Sequence, residues 1–208
     1  MNIKEAYQKK LQAQLDELGA EIDKLKAKAG VHDEQKVLGQ VKSATNNILA
    51  ILVDPMQSKN VKSNKIFSIA NGLMDFDLMA KLSIGKSVWK EFNPKQKKEY
   101  LGLFVEHFKL SYLKTMFAFQ QQEIVVEKAE QYKPTRIAVT TYILESNNSV
   151  KLLYKFYQKK ENLWLAYDIR VDGVSVVQIQ RSQYKELLNT YSIDEFIEKL
   201  RQNNESKQ

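Results

Sequence analysis

An α+β fold, with helices packed over one face of a curved antiparallel sheet of about four strands, is what the order of hydrophobic periods predicts. Three observations carry it. Up to about Phe119 apolar residues recur at steps of three and four, the period of a helix. From Glu123 to Val171 the period drops to two, in runs rich in β-branched and aromatic residues. The helical period then returns, so helices and strands are segregated along the chain instead of alternating as they do in parallel α/β folds.

Residues 1 to 29 place Leu11, Leu15, Leu18, Ile22, Leu25 and Ala29 at alternating steps of four and three, the seam of a helix that packs on another helix. Gly30 is expected to end it. Two uses fit the seam: an amphipathic helix lying on its own domain, or a coil that self-associates. Residues 1 to 30 therefore read as an N-terminal amphipathic helix, open to being an appended segment, ahead of a domain of residues 31 to 208. A second helix is expected from near Asp33 through Val37, Val41, Ile48 and Leu52, ending before Pro55 because proline disfavours helical geometry in the residue ahead of it. A third covers about Asn60 to Asn71. The fourth opens on Asp75 as cap, turns Phe76, Met79, Ala80 and Leu82 inward, and stops at Gly85. The strongest begins at Asn93, where Asn-Pro-Lys-Gln supplies a cap, a proline at the first helical position and Gln96 at the capping-box position. It should run to about Phe119, with Leu101, Phe104, Val105, Phe108, Tyr112 and Met116 on its faces.

Strands are expected at about Ile124 to Lys128, Thr135 to Glu145, Val150 to Lys159 and Leu163 to Val171, followed by a further run from Ser175 to Gln180. The joints Ser146-Asn147-Asn148 and Lys160-Glu161-Asn162 have hairpin length, which makes neighbouring strands antiparallel. Gly173 lets the Asp172-Gly173-Val174-Ser175 joint turn or bulge without steric cost. A final pair of helices follows, the second capped by Ser192 with Glu195 three residues on.

Composition narrows the function. The 208 residues are 43% apolar and 27% charged, enough for a real core, and the longest aliphatic run, Ile48 to Val53, is far short of the roughly 20 residues of a bilayer span. Seven glycines and three prolines leave little for disordered linkers, and the absence of cysteine excludes disulfides, thiol catalysis and thiolate metal sites. The net charge of +7 is thinly spread, as in Lys59, Lys62 and Lys65 or Lys95, Lys97 and Lys98, with no arginine-aromatic run suited to stacked bases. No nucleic-acid partner is expected. The polar opening MNIKEAYQKKLQAQ lacks the layout of a secretory leader.

Ten tyrosines, nine phenylalanines and two tryptophans supply material for an apolar chamber. Phe104, Phe108 and Tyr112 share one helix face by steps of four, and Leu152, Tyr154 and Phe156 share one strand face by steps of two. Leu165 and Tyr167, then Val174 and Val176, continue the series on the next runs. With Met79 and Leu82 these twelve are the candidate lining. A stripe of aromatics fits a filled core equally well. Trp164 reads as core or wall, and Asp168 as a carboxylate either paired with a cation or capped by backbone donors, since a lone buried carboxylate is costly.

The stretch from Phe76 to Gly85, then Trp89, Gln96, Phe104 and Tyr112, and finally Trp164 to Asp168, Asp172 to Val176 and Arg181, resembles the MlaC family, also called the toluene-tolerance auxiliary family. The resemblance runs from about Gln35 to Leu200, includes the Asp54-Pro55 turn, and keeps order and spacing. It implies a nuclear-transport-factor-like cone with a helical lobe, no cofactor, and phospholipid as cargo. It further implies a carrier that moves lipid across the periplasm between an outer-membrane lipoprotein complex and the MCE-domain ring of an inner-membrane ABC transporter, so maintaining outer-membrane lipid asymmetry. Arg181 becomes the candidate partner of Asp168. The helix of residues 1 to 29 has no counterpart in the family, and the chain is expected to be monomeric unless that helix self-associates.

Two rival classes are set against this reading. An acid/base enzyme on the cone fold is poorly supplied: His32 and His107 fit surface or core positions, Asp75 is explained as a cap, and no nucleophile elbow, phosphate loop or paired-histidine motif occurs. An adaptor built on the N-terminal heptads would associate through residues 1 to 30 and carry no lipid.

Overall fold

The computed structural model describes the backbone of residues 3–145 and 148–207, and side chains other than those of residues 3–11 and 26–28. Seven helices and five strands follow one another among the described residues: α1 Ile3–Val53, α2 Lys59–Leu73, α3 Phe76–Ile84, α4 Lys86–Glu91, α5 Pro94–Ala118, β1 Glu123–Lys133, β2 Arg136–Glu145, β3 Asn148–Lys160, β4 Leu163–Val171, β5 Val174–Ser175, α6 Val176–Thr190 and α7 Ile193–Glu205. The strands pair in chain order as one open antiparallel sheet. The α+β class and the meander are as the sequence predicts. Leu11 of the seam lies outside the described side chains, and Ser146 and Asn147 of the predicted joint lie outside the described residues.

Local chemistry explains the helix ends. Asn93 and Gln96 form a reciprocal capping box with Pro94 in the first turn of α5, and Ser192 with Glu195 does the same for α7. Asp75 caps α3 through the amide of Leu78 at 2.9 Å. Gly85 then takes φ +85° and ψ 151°, a conformation nearly restricted to glycine, which lets α3 end and α4 begin in one residue. Helix α4 is not among the elements expected from the sequence.

Two expectations fail. Gly30 does not end a helix, nor does one start near Asp33: α1 runs unbroken for 51 residues. Glycine costs a helix only about 1 kcal/mol, and packing outweighs that here. Gly30 is buried where a Cβ would lie 2.3 Å from Oε1 of Gln131, so the missing side chain lets α1 approach β1. Glu34 accepts a hydrogen bond from the Gln131 amide, and Lys36 reaches the Asn162 carbonyl at 2.8 Å. From there Val37 and Val41 enter the main core, while Leu15, Leu18, Ile22 and Leu25 upstream stay exposed.

The second failure is the run from Ser175 to Gln180. Only Val174 and Ser175 pair as a strand, and Ser175 caps α6, which starts at Val176. Asp168 decides this. Its Oδ1 accepts from the Ser175 hydroxyl at 2.8 Å and from the Val177 amide at 3.3 Å, so a buried carboxylate fixes the first turn of a helix. These are the donors of Asp168; the guanidinium of Arg181 lies instead against Gly85.

The main core lies between the sheet and the helices, built on Trp164, Phe156, Ile137 and Val139 from the strands and Met79, Phe92, Tyr100 and Phe196 from the helices. A smaller cluster of Ile48, Leu52, Ile66, Leu113 and Met116 joins the ends of α1 and α5 to α2. α5 packs chiefly on α7, α3 and α2, and its apolar stripe faces the sheet across a gap.

Candidate functional site

That gap is a cavity of about 160 Å³. α5 contributes Phe104, Phe108, Tyr112 and Met116 at successive steps of four, with His107, Ser111 and Thr115 at its edge. α3 supplies Met79 and Ser83, β3 Leu152 and Tyr154, β4 Ile169 and Val171, and α6 Val176, Val177 and Gln180. The rings are ordered: Phe108 stacks on Tyr112 with centroids 5.8 Å apart and meets Phe76 at 5.0 Å. The cavity opens to solvent past Ser111, Thr115 and Val171, which are exposed.

Of the candidate lining, Met79, Phe104, Phe108, Tyr112, Leu152, Tyr154 and Val176 are brought together here, Val176 from a helix and not from a strand. Leu82, Phe156, Leu165, Tyr167 and Val174 lie elsewhere. Phe156 is fully buried in the core and Leu82 packs beside it, whereas Val174 is 55% exposed. For Leu165 and Tyr167 the cause is a β-bulge. Lys155 pairs with Asp168 but Phe156 pairs with Ala166, so β4 carries one residue more than its partner at Tyr167. Upstream of the bulge Trp164 and Ala166 point into the core and Leu165 and Tyr167 to the other face; downstream Ile169 and Val171 point inward. Tyr167 there meets the Tyr132 hydroxyl at 3.0 Å and the ring of Tyr157 at 6.0 Å.

The sequence reading missed Ser83, His107, Ser111, Thr115, Met116, Ile169, Val171, Val177 and Gln180 as lining. Ser111 and Thr115 were accessible, since they flank Tyr112 on α5 at helical spacing. Ile169 and Val171 needed the bulge.

The cavity is electrically quiet. Burial pushes the Tyr154 phenol up to about 12, and burial together with the facing Tyr154 pushes Tyr112 up as well, so both are neutral hydroxyls. Burial, reinforced by nearby Lys207, lowers the His107 pKa against an opposing hydrogen bond with Asn204 at 3.2 Å. His107 is therefore uncharged at neutral pH. Ser83 Oγ is buried without a hydrogen-bond partner. No carboxylate lines the cavity, and no group of three His, Asp or Glu residues is placed to hold a metal among the described residues. Asp75, the acidic cap, is held by Lys159 at 2.8 Å and by the Tyr157 hydroxyl at 2.5 Å.

The model of the MlaC protein family matches residues 42–202. The chain belongs to the MlaC family. Six chains of solved structures match, among them the phospholipid-binding protein from Ralstonia solanacearum in complex with a phospholipid. That protein is 19% identical, with a TM-score of 0.70 over 82% of this chain and 98% of its own. A search of the curated proteins finds no match. No helix among the described residues is long and apolar enough to cross a membrane.

Proposed function

We propose that this MlaC-family chain is a phospholipid carrier. It takes the acyl chains of one lipid between α5, α6 and the sheet and moves the lipid through the periplasm, from an outer-membrane lipoprotein complex to the MCE-domain ring of an inner-membrane ABC transporter or back. The observation that carries the reading is the cavity itself: a chamber walled by Phe104, Phe108, Leu152, Ile169 and Val177, with the hydroxyls of Ser111 and Thr115 at its solvent-facing edge. The phospholipid bound by the Ralstonia relative supports it.

The energetics fit such cargo. Two acyl chains hold on the order of 30 methylenes, and at roughly 0.8 kcal/mol each their transfer from water is worth about 25 kcal/mol. The present volume of 160 Å³ is close to that of a cavity that admits benzene. Two chains need several times as much, so the helices must move away from the sheet on loading. The same quiet lining speaks against acid/base catalysis, since the reading needs no group poised to exchange a proton.

Native mass spectrometry of gently purified protein tests the reading, followed by solvent extraction and by uptake of labelled phospholipid from vesicles. A mass increment equal to one phospholipid, with uptake after delipidation, is the expected result. Clean unliganded masses together with no uptake would mean that the chamber is a packing defect. A separate observation favours an added role for α1. The exposed Leu15, Leu18, Ile22 and Leu25 form a stripe that lies outside the family match, and concentration-dependent association lost on removing residues 1 to 30 would assign it to self-association.

A further inference from the structure

Beside the cavity mouth lies a groove of about 1,090 Å³ between the start of α2, the last turns of α5 and the end of α7. Four lysines line it: Lys59 and Lys109 on its flanks, Lys114 on α5 and Lys207 beyond α7. No aspartate or glutamate lines it, and none of the four lysines is in an ion pair among the described residues. Two are held in place by neutral contacts: Lys59 Nζ sits 5.5 Å from the Phe117 ring centre, and Lys109 Nζ sits 5.4 Å from that of Phe67 and 3.5 Å from Asn64 Oδ1. Ser111 and Thr115 line both the groove and the apolar cavity, so the two spaces share a border of hydroxyls on α5.

We propose that this groove receives the phosphate of the bound lipid and gives the carrier a preference for phospholipids with a net negative headgroup. The inference rests on the carrier reading above and adds the chemistry of the cargo. Acyl chains placed along Phe104, Phe108 and Tyr112 bring the glycerol to Ser111, beside Tyr112, and to Thr115, about one turn further along α5. The lysine groove meets that border, and so places its ammonium groups beside the phosphate. Ammonium groups on flexible stems suit it, because they follow a phosphate without demanding a fixed geometry. A zwitterionic headgroup brings its own cation into the same field and gains less, whereas a glycerol headgroup adds no cation.

The test uses the full chain, delipidated and equilibrated with vesicles of equal phosphatidylglycerol and phosphatidylcholine, then separated and extracted. The expected result is a several-fold enrichment of phosphatidylglycerol over the vesicle ratio. Lys59→Gln with Lys114→Gln should bring the ratio close to one, and Lys109→Glu with Lys114→Glu should invert it, while total lipid per protein holds. Equal composition in the wild type with normal uptake overturns the groove and leaves the carrier standing; no uptake at all overturns both. Lower melting temperatures in the variants with unchanged enrichment would assign the lysines to holding α2 against α5, against this proposal. If inorganic phosphate broadens its own phosphorus resonance on the delipidated protein while the extracted lipid stays unselected, the groove is a site for free phosphate. A variant that loads more slowly yet reaches the same final composition would place the lysines in vesicle docking, which also overturns the proposal.

Discussion

A charge placed inside the cavity separates a chamber that opens for lipid from a core that happens to be loose. Phe108→Asp and Tyr154→Asp put a carboxylate on opposite walls of the same space, one on α5 and one on β3. In a close-packed interior, loss of an aromatic ring alone costs about 3–5 kcal/mol, and an unpaired charge adds to it, enough to unfold a domain of ordinary stability. Phe108 and Tyr154 instead border a 160 Å³ space whose open end carries exposed Ser111 and Thr115, so water can reach a new carboxylate. Both variants should fold. Keeping that carboxylate hydrated denies the lipid about four methylenes of burial, roughly 3 kcal/mol or on the order of 100-fold in retention. Circular dichroism melts of delipidated protein and uptake of fluorescent phospholipid measure the two effects separately. Tyr154→Phe, which leaves the wall apolar, should retain lipid as the parent does. Cooperative unfolding lost in both charged variants, or lipid kept by both, would refute the cavity assignment.

A chain of residues 31 to 208 should keep its cooperative transition, because the contacts of α1 with the sheet through Glu34, Lys36, Val37 and Val41 all lie beyond Gly30; a truncated chain that melts without cooperativity overturns this. Gly30→Ala should change stability by no more than about 1 kcal/mol, since helix propensity gained offsets the displacement of the flexible Gln131 amide, and a chemical denaturation midpoint reads it. Gly85→Ala, at φ +85°, should cost about 1–3 kcal/mol in the same assay. The pKa of Asp75 is lowered because its bonds to Lys159, Tyr157 and the Leu78 amide outweigh the burial that raises it. Its contribution is therefore present above about pH 4 and lost as pH falls through the lower native value, so Asp75→Asn should be less stable at pH 7 by about 1–2 kcal/mol and should flatten the acid limb of the stability profile.

The parts of the fold legible in the sequence are those with a local cause. The boxes at Asn93 and Ser192, the cap at Asp75 and the stop at Gly85 each depend on residues within one turn, and each is found where spacing places it. Gly30 and Gly85 look alike in sequence and behave oppositely. Nothing near Gly30 reveals that Gln131, a hundred residues away, packs against it. The cavity was legible on α5, where a regular helix keeps Phe104, Phe108 and Tyr112 in line over about two turns. It failed on β4, where one extra residue reverses the face, and at Val176, where a buried carboxylate turns an apparent strand into a helix.

Those two failures share one place in the structure. The bulge at Tyr167 sends the upstream half of β4 into the core through Trp164 and Ala166, and its downstream half into the cavity through Ile169 and Val171. Asp168, the next residue, holds the first turn of α6 and so sets Val176 and Val177 against the same space. The wall formed by β4 and α6 is thus tied at a buried, hydrogen-bonded anchor. Among the described residues α5 has no such tie to the sheet; its partners are α7, α3 and α2. The carrier reading therefore expects the room for larger cargo on the α5 side, with Leu152, Tyr154, Ile169 and Val177 as the anchored wall.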